Sequence, residues 1–186
     1  MSYKLIIIGG SAGSFQIVNQ ILSKLPQDFE IPIIVVLHRL KHIRHGFVEA
    51  LSQKSILPVI EPEDKTLIKP GYVYLAPANY HLFIEVNGRF ALSTEVPVNH
   101  SRPAIDLSFK TAANCFREKA VGIILSGANK DGAEGLKAIK QMGGLTIAQN
   151  PIEAQIPVMP RTAIDRVGQV DHILSGIEIS NFLNSL

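Results

Sequence analysis

The chain has no tryptophan, a single cysteine and almost no net charge, and each shortage removes a class of function. Its 186 residues include 18 Lys or Arg against 16 Asp or Glu, a formal charge of +2. That excess is too small to argue for a phosphate backbone as partner, and with aromatics at 6% few rings are left to stack on bases. Nucleic acid is therefore not an expected partner. The lone thiol, Cys115, cannot build a disulfide framework and fits a reducing compartment. No run approaches the roughly 18 consecutive apolar residues needed to span a bilayer. The opening Met1-Ser2-Tyr3-Lys4 leads into a short strand rather than a secretory signal. A cytoplasmic protein without direct membrane insertion is expected. His81 and His172 lie in strand patterns without partners at ligand spacing, so no metal site is expected.

What is present is a core. The sequence is 46% hydrophobic, has no low-complexity tract and is of a size for one domain over residues 1–186. Short apolar runs alternate with helical patterns. Lys4–Ile8 reads as a strand, and the next segment carries Phe15, Val18, Ile21, Leu22 and Leu25 on one helical face. Ile31–Leu37 reads as a second strand, His42–Gln53 as a helix and Leu57–Ile60 as a short strand. Gly71–Leu75, His81–Val86 and Arg89–Ser93 differ in texture, and Asn87-Gly88 is a hairpin turn signal. They read together as an antiparallel insert. Alternation then resumes with helices over Pro103–Arg117, Gly132–Met142, Pro160–Arg166 and Glu178–Leu186, and strands at Ala120–Leu125, Gly144–Ala148 and Val170–Ile173. The expected fold is α/β: three layers, a doubly wound, mainly parallel sheet, and an antiparallel hairpin insert.

Ligands of such sheets bind beyond the carboxyl ends of the strands. Three candidates sit at those ends. Leu5-Ile6-Ile7-Ile8-Gly9-Gly10-Ser11-Ala12-Gly13 puts Ser11 on a tight turn between strand and helix, His38 follows Ile33–Leu37, and Asp131 closes the loop after Val121–Leu125. A strand-to-helix turn of this kind suits a nucleophile beside free backbone N–H groups, and equally a bound phosphate. Serine needs a base to take its proton, which imidazole does near neutral pH. A carboxylate then holds the imidazole tautomer and stabilises the imidazolium. The expected contacts run from Ser11 Oγ to His38 Nε2 and from His38 Nδ1 to Asp131. Singly, Ser11 also reads as a phosphate cradle, His38 as a strand cap and Asp131 as a helix N-cap. The stretch lacks G-x-G-x-x-G, the second strand does not end in a ribose-binding acid, and no Walker A sequence occurs. Arg39, Lys41, His42, Arg44 and His45 form a basic cluster, read as a solvated face or a surface that steers an acidic partner. Cys115 reads as core. Arg161, after Met159-Pro160, reads either as near the strand edge or as part of a helix start.

These motifs resemble the catalytic domain of the bacterial chemotaxis protein-glutamate methylesterases over nearly the whole chain. The matching stretches are Ile8–Gly13, Val36-Leu37-His38, Gly71–Pro77, Asn99 with Arg102-Pro103, Gly122–Gly132, Thr146–Asn150 and Met159-Pro160-Arg161. The resemblance implies Ser11 as nucleophile, His38 as general base and Asp131 as its orienting acid, with no cofactor. It implies hydrolysis of glutamate γ-methyl esters on the cytoplasmic helices of methyl-accepting chemoreceptors, releasing methanol, and also deamidation of receptor glutamines. Oxyanion donors are expected at the helix start after Ser11 and near Ala128. Three stretches depart from the family pattern. Ala12-Gly13-Ser14 stands for Thr-Gly-Gly, Ala128-Asn129-Lys130 for Met-Gly-Asn, and Ser101 for a histidine before Arg-Pro. The chain begins at the first catalytic strand, so no in-chain receiver domain is expected. The alternative reading is a non-enzymatic nucleotide- or protein-binding module on the same fold.

Overall fold

The computed structural model describes residues 2–39 and 46–186. The first half runs β1 (Leu5–Gly10), α1 (Phe15–Leu22), β2 (Ile33–Leu37), α2 (Phe47–Ser52), β3 (Val59–Ile60), β4 (Val73–Leu75), β5 (His81–Ile84) and β6 (Phe90–Ser93). The second runs α3 (Ile105–Phe116), a short 3-10 turn (Arg117–Lys119), β7 (Ala120–Ile124), α4 (Ala133–Gln141), β8 (Leu145–Gln149), α5 (Val158–Val167), β9 (His172–Leu174) and α6 (Gly176–Leu183).

Seven strands form one parallel sheet in the order β3-β4-β2-β1-β7-β8-β9. Its central strands β1, β2 and β7 are buried throughout because both faces are covered. In β1, Ile6 and Ile8 enter one core with α1, α2 and α6, whereas Leu5 and Ile7 enter the other with α3, α4 and α5. All four are fully buried, worth about 1.5–3 kcal/mol each before entropy is counted. The sheet grows outward from β1 in both directions, through β2 on one side and β7 on the other. The crevice at the carboxyl end of β1 is thus the topological switch point, where such sheets place ligands.

The insert is smaller than expected. Among the described strands β5 and β6 alone pair antiparallel, as a separate two-stranded sheet with Gly88 at φ +75° in its turn. Gly71–Leu75, expected with the insert, instead supplies β4, which lies parallel between β3 and β2. Its Val73, Tyr74 and Leu75 are all buried, so the strand lacks the alternation that marks a half-exposed one. The second helix is described only from Phe47, where Glu49 Oε2 accepts from Gly46 N at 2.8 Å. Residues 40–45 lie outside the described residues, so the first part of the expected helix is not among them.

Candidate active site

Parallel register brings the first two candidates together. Gly10 pairs with Leu37, so Ser11 and His38 emerge side by side from adjacent strands, which lie about 4.8 Å apart. His38 N donates to Gly10 O at 3.2 Å. The turn at Ser11 is closed by Ser14, whose backbone N and Oγ lie 3.1 and 2.6 Å from Ser11 O. A Cβ on Gly10 would come within 2.5 Å of Ser14, and Gly13 sits at φ +82° with Gln155 2.7 Å from where its Cβ would be. The glycines therefore set a turn that a side chain would break. Ser14, a departure from the family pattern, is the buried hydroxyl that fastens it.

Buried Ser126 ties this turn to two others. Ser11 N donates to Ser126 O at 2.9 Å, and Ser126 Oγ lies 2.8 Å from Ala12 O and 3.2 Å from Ile156 O. Among the described residues, the N–H groups of Ala12, Gly13 and Ala128 have no hydrogen-bond partner. They are free donors in the turn after Ser11 and in the loop after β7.

His38 and Asp131 meet with the ring the other way round from expectation: His38 Nε2, not Nδ1, lies 2.8 Å from Asp131 Oδ2. Burial pushes the Asp131 carboxyl up. The His38 hydrogen bond and charge and the Ile105 and Asp106 N–H groups outweigh it, leaving the acid below its ordinary value of 3.8. An ionised carboxylate only accepts, so Nε2 carries the proton and Nδ1 presents the lone pair. Nδ1 has Ser101 Oγ at 3.3 Å and Asn129 Nδ2 at 3.4 Å. No hydrogen bond joins Ser11 Oγ to His38 among the described residues. Both neighbours of Nδ1 fall on positions where the sequence leaves the family pattern.

The N-cap reading of Asp131 is corrected in an informative way. Gly132, at φ +95°, caps α4 without a side-chain bond. The Asp131 carboxylate instead caps α3, accepting from Ile105 N at 2.6 Å and Asp106 N at 3.1 Å. Asp106 returns the exchange, with Oδ1 accepting from Gly132 N and Gly135 N at 2.9 and 2.8 Å. Asn99 Nδ2 joins the two acids at 3.1 Å from each. Burial raises the Asp106 carboxyl above 3.8; the Asp131 charge adds to this, against the Gly135 and Gly132 N–H groups and Lys110. Asn99 was legible only as a motif residue, and Asp106 carried no signal beyond its place in the first turn of a helix. A cleft of about 390 Å³ opens beside them, lined by Asn99, Asp106, Lys130, Glu134, Thr162 and Arg166.

Other candidates resolve into structural roles. Arg39 is no solvated charge: it is buried, donates to Glu61 Oε1 and Ala76 O at 2.7 Å each, and lies over the Phe47 ring at 5.1 Å. Lys41, His42, Arg44 and His45 lie outside the described residues. His81 is fully buried between Val96 O at 3.0 Å and Ala104 N at 3.2 Å. His172 packs against Phe182 with ring centroids 4.8 Å apart and planes tilted by 50°. Cys115 is half-buried, its Sγ 3.3 Å from Ile84 O. Arg161 is exposed in the first turns of α5. Among the described residues no three His, Cys, Asp or Glu side chains cluster as a metal site, and no helix is long and apolar enough to cross a membrane.

With this geometry in hand, the comparison with known proteins is decisive: the family model described as CheB methylesterase matches residues 6–183. The chain belongs to the CheB methylesterase family. A relative from Leptospira interrogans is 45% identical over 94% of this chain and 90% of its own length. The Thermotoga maritima protein-glutamate methylesterase/protein-glutamine glutaminase is 34% identical over 100% of this chain and 55% of its own. The protein-glutamate methylesterase FrzG of Myxococcus xanthus is 37% identical over 87% of this chain and 48% of its own. The chain thus spans about half the length of these last two. The crystal structure of the Thermotoga maritima CheB methylesterase catalytic domain superposes with a TM-score of 0.93, covering 100% of this chain and 99% of that one. The doubly wound parallel sheet with its small antiparallel hairpin is therefore the family fold.

Proposed function

We propose that the chain is a serine carboxylesterase that hydrolyses glutamate γ-methyl esters on the cytoplasmic helices of methyl-accepting chemoreceptors. One observation carries this reading: in a chain of this family, Ser11 leaves the sheet beside a histidine whose other nitrogen is held by a buried, ionised carboxylate.

The Ser11 Oγ attacks the ester carbonyl as His38 Nδ1 accepts its proton. The pair on the carbonyl oxygen is stabilised by free N–H groups, with Ala12 and Gly13 on one side and Ala128 on the other. Collapse expels methoxide, which takes the proton from His38 and leaves as methanol. Water then attacks the acyl-enzyme, again giving its proton to Nδ1, and glutamate departs as Ser11 is reprotonated. A glutamine amide follows the same course with ammonia as leaving group. Asp131 keeps the Nε2 proton in place throughout and stabilises the imidazolium. For attack, the Ser101 and Asn129 contacts at Nδ1 give way to Ser11 Oγ.

The test is methanol release from a methylated receptor fragment. Wild type should release methanol, and Ser11→Ala should lower turnover by about 10⁴-fold or more with an unchanged fold. Undiminished release by Ser11→Ala would overturn the assignment. No release by wild type, with nucleotide raising the melting temperature, would favour a binding module instead.

A further inference from the structure

We propose that Asp106 is a positioning residue of this site, fixing through Asn99 and the exchanged helix caps the Asp131 carboxylate that holds His38 Nε2. The proposal rests on the esterase reading for its kinetic part only.

Three features set Asp106 apart from an ordinary helix-capping acid. First, it caps a helix other than its own: it belongs to α3 and binds the N-terminal N–H groups of α4, while Asp131 does the reverse. The orientation of Asp131 thus depends on how α3 and α4 sit against each other, and Asp106 locks that arrangement from the opposite end. Second, both acids are buried, Asp106 at 5% exposure and Asp131 at 0%, and only one amide nitrogen bridges them. That nitrogen holds Asp131 Oδ1 against Asp106 Oδ2, and so sets the carboxylate whose other oxygen meets His38 Nε2. Third, each oxygen of Asp106 is engaged, Oδ1 by two backbone donors and Oδ2 by Asn99. No reacting group needs to approach it for it to act.

The other charged groups around the pair, among the described residues, are Lys110 on α3, Lys130 beside Asp131, and Glu134 with Arg166, which pair with each other across α4 and α5. His81 faces the start of α3 from β5. None of them bonds to either carboxylate.

The experiment combines imidazole NMR of His38 with steady-state kinetics on Asp106→Asn. The amide keeps an acceptor for Gly132 and Gly135 but removes the charge, and it sets one amide against another at Asn99. The low-field Nε2–H proton signal of His38 should move upfield as its bond to Asp131 loosens, and kcat should fall about 10-fold or more at unchanged KM. An unmoved signal and wild-type kcat, with only the melting temperature lowered, would reduce Asp106 to a helix cap and overturn the proposal. The NMR signal needs no substrate, so it decides on Asp106 even if wild type releases no methanol. Conversely, an active wild type with an unshifted Asp106→Asn sinks this proposal alone. Should Asp106→Asn not fold, Asn99→Gly suits the φ of +50° at that position and unlinks the acids while leaving every backbone cap. It should lower kcat about 10-fold with KM retained; wild-type kcat would overturn the proposal.

Discussion

Replacing Asp131 by asparagine exchanges one oxygen for an NH₂ group and disturbs two helices. The carboxylate accepts four hydrogen bonds, from His38 Nε2 (2.8 Å), Ile105 N (2.6 Å), Asp106 N (3.1 Å) and Asn99 Nδ2 (3.1 Å). An asparagine accepts on one side only and sets an NH₂ group against donors on the other. Turned toward His38 and Ile105, its oxygen leaves the Asp106 N–H facing a donor; turned the other way, it abandons both the imidazole and Ile105. One backbone N–H is orphaned in either case. An orphaned buried donor costs about 1–3 kcal/mol, and the lost charge at the α3 N-terminus up to about 2 more. Together these amount to roughly 1–5 kcal/mol, a fall in melting temperature of about 2–20 °C for a chain of this size. Turnover should fall by about 10⁴-fold, because the amide has no charge to stabilise the imidazolium and, turned the other way, sets an NH₂ group against Nε2. Circular dichroism melts and methanol release on one preparation measure both. A variant that melts like wild type would refute the capping argument, and one that also turns over like wild type would refute the role of Asp131.

Ser101→Ala removes one competitor for the Nδ1 lone pair at the cost of a single long hydrogen bond. Ser11 should become about 2- to 10-fold more reactive toward a serine-directed probe, and a 10-fold loss would make Ser101 part of the machinery. Acid should act oppositely on the two buried acids. Asp131, held below 3.8, contributes stability present above the ordinary carboxyl pKa and lost as pH falls through its folded value. Asp106, raised above 3.8, contributes stability that is full below that value and lost as pH rises through its folded one. Melting temperatures of wild type and Asp106→Asn between pH 7 and pH 3 should therefore diverge in favour of wild type as pH falls, and parallel curves would contradict the assignment.

The sequence announces those parts of the molecule that local chemistry controls. Ile6 and Ile8 against Leu5 and Ile7 form a strand buried on both faces wherever they occur, and Gly10 and Gly13 make the turn at Ser11 almost compulsory. The strand ends at Ser11, His38 and Asp131 could be read because each follows an apolar run. Register then joins what the sequence keeps 27 and 93 residues apart. Sheet partners are not written locally, and β4 shows it: Val73-Tyr74-Leu75 suits a parallel or an antiparallel neighbour equally. The choice of ring nitrogen on His38 was illegible for a similar reason, since it depends on the position of Asp131 rather than on residues near His38. Asp106 looked like any acid in the first turn of a helix, because its partners Gly132 and Gly135 belong to another helix. Arg39 misled through composition: a charge within a basic run reads as solvated, yet Glu61, Ala76 O and Phe47 enclose it.

The central claim is that Ser11 is the nucleophile activated by His38. Treating the folded protein with a fluorophosphonate and locating the adduct by mass spectrometry tests it without any assumption about the receptor. One stoichiometric adduct is expected on Ser11, with labelling strongly slowed in His38→Ala and lost in Ser11→Ala. An unlabelled Ser11 in folded wild type, or an adduct on Ser101 or Ser126 instead, would contradict it.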